Sequence, residues 1–93
     1  MEFIYDEKKN QVLFEQRGIT FEQAIEVISA DGILLDFKHP NAEQYPNQRL
    51  MVIAIDNYPY CIPYVMDGEN IVFKTIFPDR RFKYLMEKND DKN

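Results

Sequence analysis

Between Ile71 and Lys88 the chain places Lys74, Arg80, Arg81, Lys83 and Lys88 among Phe77, Phe82 and Tyr84, with only Asp79 and Glu87 opposing them. Cations interleaved with aromatic rings suit nucleic-acid chemistry: guanidinium or ammonium groups meet phosphate oxygens, and a ring stacks on a base. The setting sharpens the signal. The 93 residues carry 11 Lys and Arg against 16 Asp and Glu, a net charge of −5, so the surface as a whole repels polyanions. The first 48 residues alone hold four cations against nine carboxylates. The plain alternative for the basic stretch is a solvated C-terminal helix whose cations match its dipole.

Other chemistries find little support. The single histidine, single cysteine and scattered carboxylates give no ligand cluster at a familiar metal spacing, so no metal or cofactor is expected. Gly18, Gly32 and Gly68 are too far apart for a phosphate loop, and Ser29 is the only serine. Cys61 sits among Tyr60, Ile62 and Pro63 and reads as a small buried hydrophobe. No apolar run approaches the roughly 20 residues of a membrane helix. The opening Met1-Glu2-Phe3 lacks a basic segment followed by an apolar one, so a cytoplasmic protein is expected.

The elements that must position these groups can be read in order, as one domain over residues 1–88 and a polar tail over 89–93. Phe3-Ile4-Tyr5 is a short strand. Asp6 caps a helix from Glu7 to Arg17 that Gly18 closes, although Val12, Leu13 and Phe14 are too few to define a wide apolar face. Thr20-x-x-Gln23 is a capping box, with Ile19 stapling onto Ala24, and Phe21, Ala24, Ile25 and Ile28 share one face of the second helix. Asp31-Gly32 ends it. Strands follow at residues 33–37, 49–55, 58–65 and 70–77, with turns at Asp56-Asn57 and Asp67-Gly68 and a long loop from His39 to Gln48. Pro59 and Pro63 each remove a ladder donor, which predicts an edge position or a bulge for the third of these. Pro78 stops the last strand, Asp79 caps, and Arg80–Lys88 is helical. The expectation is an α+β domain: short N-terminal strand, two helices, four-stranded antiparallel meander and C-terminal helix.

Phe3-Ile4-Tyr5-Asp6-x-x-Lys9-Asn10, followed by Arg17-Gly18-Ile19-Thr20-Phe21-Glu22-x-Ala24, resembles the opening of the BrnT-type toxins of bacterial type II toxin–antitoxin systems. Arg49 at the start of the long strand and Pro78-Asp79-Arg80 after the last one extend the resemblance to Leu85. Arg17 stands where that family often has histidine, and the final helix is shorter and less basic than is typical there. The resemblance implies a RelE-like ribonuclease fold, a metal-independent endoribonuclease activity on RNA, and a cognate antitoxin, often a ribbon-helix-helix DNA-binding protein. DNA would be met only through that antitoxin complex, and no membrane is involved. The alternative is a non-catalytic, degenerate module of the same fold that binds an antitoxin or co-repressor in operon regulation.

Metal-independent RNA cleavage must deprotonate the 2′-hydroxyl, stabilise the phosphorane and protonate the leaving 5′-oxygen. Arg49 and Arg80 are the candidates for the phosphorane, because a guanidinium matches phosphate geometry and keeps its charge. A simple meander would allow both to lie at one end of the sheet. His39, in the long loop, is the candidate acid–base group, since an imidazole titrates near about pH 6.5. Lys9, Lys74, Arg81 and Tyr84 are candidates for RNA contact. Each has an ordinary reading too: a guarded strand end, a solvated loop, the polar position of a half-buried strand, a helix aromatic packed on the sheet. Tyr58, Tyr60 and Tyr64 alternate onto one face of their strand and suit either a core rim or an interface.

Overall fold

The computed structural model describes the chain through residue 90, and its side chains through residue 86. The remainder of the expected tail lies outside the described residues. Among the described residues the architecture is α+β, with three helices and a mixed six-stranded sheet. The strands are β1 (Phe3–Ile4), β2 (Leu35–Lys38), β3 (Arg49–Ile55), β4 (Tyr58–Asp67), β5 (Asn70–Phe73) and β6 (Phe77–Pro78). The helices are α1 (Glu7–Arg17), α2 (Phe21–Asp31) and α3 (Lys83–Asp90), the last entered through a 3-10 turn at Arg80–Phe82.

Local chemistry sets the helix ends. The Asp6 carboxylate accepts from the backbone N–H groups of Lys8 (2.7 Å) and Lys9 (3.2 Å), and Gly18 closes α1 at φ 71°. Thr20 Oγ1 accepts from the Gln23 N–H at 3.1 Å, and Ile19 and Ala24 are both buried, as a staple requires. The turn at Asp56 and Asn57 has φ of 51° and 63°, the double left-handed step that matches the twist of a two-residue hairpin.

The sheet order is β1-β5-β4-β3-β2, with β6 also pairing β4. β1 lies parallel to β5, and the other pairs are antiparallel. The proline-bearing strand is therefore central, not at an edge. Its partner strand explains how this is tolerated. Pro63 O accepts from Lys74 N–H (2.8 Å) and Pro59 O from Asp79 N–H (3.1 Å), so both missing donors face the β5–β6 side. There Tyr64 pairs with Phe73 and Cys61 with Phe77, leaving three residues opposite two. The resulting bulge splits the expected 70–77 strand into β5 and β6, beside Pro63.

This bulge changes which way side chains face. Phe73 and Ile76, three residues apart, both enter the core, whereas Phe77 pairs with Cys61 on the opposite face. The main core lies between the sheet and α1 and α2. It joins Leu13, Phe21 and Ala24 to Met51, Ile53, Ile62 and Tyr64, and each large side chain so buried contributes about 1.5–3 kcal/mol. Phe21 stacks on Tyr5 and Phe73 with ring centroids 5.1 and 5.8 Å away.

Candidate functional site

Two of the three cations of α1, Lys9 and Arg17, lie on one of its sides, with Lys8 round at the edge. Lys9, Leu13 and Arg17 recur at four-residue steps, so they share a face, with Lys9 and Arg17 about 12 Å apart along the axis. Leu13 turns in to the core and the flanking cations stay exposed. Opposite them the β5–β6 bulge carries Lys74 and Thr75. Between these elements lies a cavity of about 600 Å³, floored by Leu13 and Phe21 and walled by Lys8, Lys9, Gln16, Arg17, Gln48, Lys74 and Thr75. Four cations surround it and no lining residue is acidic. In a chain of net charge −5 this is a local focus of positive potential.

Gln48 is delivered to this pocket by the neck of the long loop. His39 N–H donates to Gln48 O at 3.1 Å, and the imidazole packs against Tyr45 with ring centroids 4.6 Å apart. His39 Nδ1 accepts from Asn41 N–H at 3.0 Å. The imidazole thus holds the loop and does not line the pocket.

Arg49 lies on the flank of the pocket. The register Arg49–Tyr64–Phe73 sets it two strands, about 10 Å, from the strand that continues into Lys74. Its Nε donates to Asp36 Oδ1 at 2.8 Å, and Tyr64 donates its hydroxyl to Asp36 Oδ2. The bond to Asp36 raises the Arg49 pKa above its ordinary value, and burial, then Asp36, raises that of Tyr64. Tyr64 is a core residue with its hydroxyl at the rim, and Tyr60 packs partly buried against the same core.

Arg80 is elsewhere. Asp79 bonds to Pro59, five residues along β4 from the partner of Arg49, so Arg80 sits about 17 Å toward the other end of the sheet. The two arginines do not share one end: Arg49 opens β3, Arg80 follows the strand two places on, and the alternating directions of an antiparallel meander put those two points at opposite ends of the sheet. Arg81 is engaged by Asp79 through Nε (3.0 Å) and Nη2 (2.7 Å), which holds the Asp79 carboxyl below its ordinary range. Tyr84 is about half exposed beside Phe82. Cys61 is buried, and burial, then the charge of Asp79, pushes its thiol up to about 11.

Of the residues singled out in the sequence, the structure joins Lys9 and Lys74 in one pocket, sets Arg49 beside it, and leaves His39, Arg80, Arg81 and Tyr84 outside its lining. Lys8, Arg17 and Gln48 were not among the candidates. The two four-residue steps from Lys9 through Leu13 to Arg17 were the available signal. Among the described residues no group of three or more His, Cys, Asp or Glu could hold a metal ion, and no helix is long and apolar enough to cross a membrane. Comparison with protein-family models, curated proteins and solved structures finds no match.

Proposed function

We propose that the protein is the toxin component of a type II toxin–antitoxin system, a RelE-like, metal-independent endoribonuclease restrained by a cognate antitoxin. The observation that carries the reading is the convergence of Lys8, Lys9, Arg17 and Lys74 on one pocket of an otherwise acidic chain. In this reading the pocket, with Arg49 at its flank, takes the scissile phosphate and its neighbour. Cations on two sides stabilise the charge that grows on the phosphorane, and a lysine ammonium protonates the leaving 5′-oxygen. Arg17, in place of a histidine, adds fixed charge and no proton exchange. Removal of the 2′-hydroxyl proton falls to solvent, because the lining offers neither carboxylate nor imidazole.

That same lining favours a second reading, in which the pocket binds RNA without cutting it and the domain serves operon regulation beside its antitoxin. End-labelled RNA incubated with purified protein in a chelator separates the two. The first reading expects products ending in 2′,3′-cyclic phosphate, lost in Lys9→Ala/Lys74→Ala, and growth arrest when the chain is expressed alone. Intact RNA that is nevertheless retained on the protein selects the second reading. Neither cleavage nor retention overturns both.

A further inference from the structure

The basic pocket carries more than charge. Val12, Leu13 and Phe21 give it an apolar floor, and the Gln16 and Gln48 side chains stand among the cations. Gln16 lies three residues past Leu13 and four past Val12 on α1, so it adjoins that floor. Gln48 is fixed on both sides of its backbone: its N–H donates to Tyr45 O at 3.3 Å, and its carbonyl accepts from His39 N–H at 3.1 Å. A phosphate group presents acceptor oxygens only. Ammonium and guanidinium donors satisfy it, and it gains nothing from an apolar floor or from the acceptor half of a carboxamide. The volume, about 600 Å³, falls within the roughly 300–1,000 Å³ typical of pockets for small organic ligands.

We propose that the pocket takes a whole nucleotide of single-stranded RNA, its base as well as its phosphate. The base lies on Val12 and Leu13, its polar edge pairs with the carboxamides of Gln16 and Gln48, and Lys9 and Lys74 hold the phosphate from opposite walls. Each nucleobase sets a hydrogen-bond donor beside an acceptor on its edge, and a carboxamide returns the complementary pair. That edge is open only in an unpaired strand. Laying a flat ring on the apolar floor removes apolar surface of both partners from water, a gain that salt does not screen. This rests on the RNA reading of the same pocket and adds a base to the phosphate already placed there. Gln16 and Gln48 are then the residues that recognise the base.

The test uses 2′-O-methyl oligonucleotides, which lack the attacking hydroxyl and stay intact, beside abasic oligomers of the same backbone and phosphate count. Fluorescence anisotropy should show the full chain binding the base-bearing oligomer about tenfold tighter than the abasic one, with equal salt slopes. The Val12 and Leu13 methyl resonances should shift with the first oligomer and not with the second. Gln16→Ala/Gln48→Ala should lose most of the tenfold difference and keep the abasic affinity. Lys9→Ala/Lys74→Ala should weaken both oligomers and flatten both salt slopes. Equal binding of the two oligomers by the parent overturns the proposal and leaves the RNA reading standing, whereas binding of neither overturns both. Base selectivity that survives in the glutamine variant overturns the placement of the base in this pocket. A nucleoside monophosphate that binds as tightly as the oligomer overturns the RNA source, because the remaining cations would then meet no further phosphate.

Discussion

Helices α1 and α2 are both eleven residues long and stand on the same side of the sheet, yet they are held by different means. α2 is amphipathic: Phe21 and Ala24 are buried, and Ile25, Val27 and Ile28 pack against the core. α1 buries only Leu13 and Asn10. It is kept in place by the Asp6 cap, by Glu7 and Arg17 matching the dipole at its ends, and by one polar side chain. Asn10 Oδ1 accepts from Phe21 N–H at 2.8 Å, and its Nδ2 donates to Glu22 Oε1 at 2.6 Å, so α1 fastens the first turn of α2. A helix held in this way needs no wide apolar stripe, and its remaining surface is free to present Lys8, Lys9 and Arg17.

The largest effect should come from the packing side of this contrast. Phe21→Ala removes a ring that is 1% exposed and stacked between Tyr5 and Phe73, at an expected cost of about 3–5 kcal/mol in urea unfolding. Because the same ring floors the basic pocket, RNA retention should fail with it. A loss under about 1 kcal/mol would mean that α2 is not held by its apolar face.

Asn10→Ala tests the other mode of attachment. It leaves the buried Phe21 N–H without its partner, which costs about 1–3 kcal/mol. A variant as stable as the parent would show that α1 is fixed by its caps and Leu13 alone.

The two helices also differed in how well they could be read. Thr20-x-x-Gln23, the Ile19 staple and the apolar spacing of α2 are local signals; the structure shows the Thr20 cap on Gln23 N–H, buried Ile19 and Ala24, and the apolar face. The cap and closing glycine of α1 were equally legible. The role of Asn10 was not, since its partners are eleven and twelve residues away and belong to another element. The sheet followed the same rule. The Asp56-Asn57 turn is encoded by two residues, whereas the central place of β4 depends on a bulge in its neighbour that makes room for Pro63. For the site, Lys9 and Lys74 were recognisable one at a time, but their meeting is set by that bulge and by the side of the sheet α1 occupies. Arg49 and Arg80 were misplaced relative to each other for a simpler reason: in an antiparallel meander the start of one strand and the end of the strand two places on lie at opposite ends, whatever the register.

A functional surface on α1 predicts the next smaller effect on folding, with its consequence elsewhere. Lys8→Ala/Lys9→Ala/Arg17→Ala removes exposed charges and should change stability by no more than about 1 kcal/mol, mostly through the loss of Arg17 from the last turn. RNA affinity should drop, and the slope of log affinity against log salt should flatten by about 0.7 for each phosphate that is no longer neutralised. An unchanged slope would remove α1 from the RNA surface. A large loss of stability would instead make its cations structural, like the apolar face of α2.

The smallest effect separates the polar fastening from the cations around it. Glu22 has its pKa lowered below the usual 4.5, first by the bond from Asn10 and then by its own backbone N–H. A carboxylate lowered on folding stabilises the native state above the unfolded value, and that contribution is lost as pH falls through the folded value. Parent stability should therefore decline below about pH 4.5 in part through this group. Glu22→Gln keeps an acceptor for Asn10 and removes the titration, so the stability difference between parent and variant should be constant above that pH and shrink below it. Because Asp79 is also lowered, by Arg81, some acid sensitivity should persist in the variant and weaken further when Asp79→Asn is added. Parallel curves for parent and Glu22→Gln would show that the α1–α2 fastening works through the neutral hydrogen bond that Phe21 N–H donates to Asn10 Oδ1 and owes nothing to the charge of Glu22.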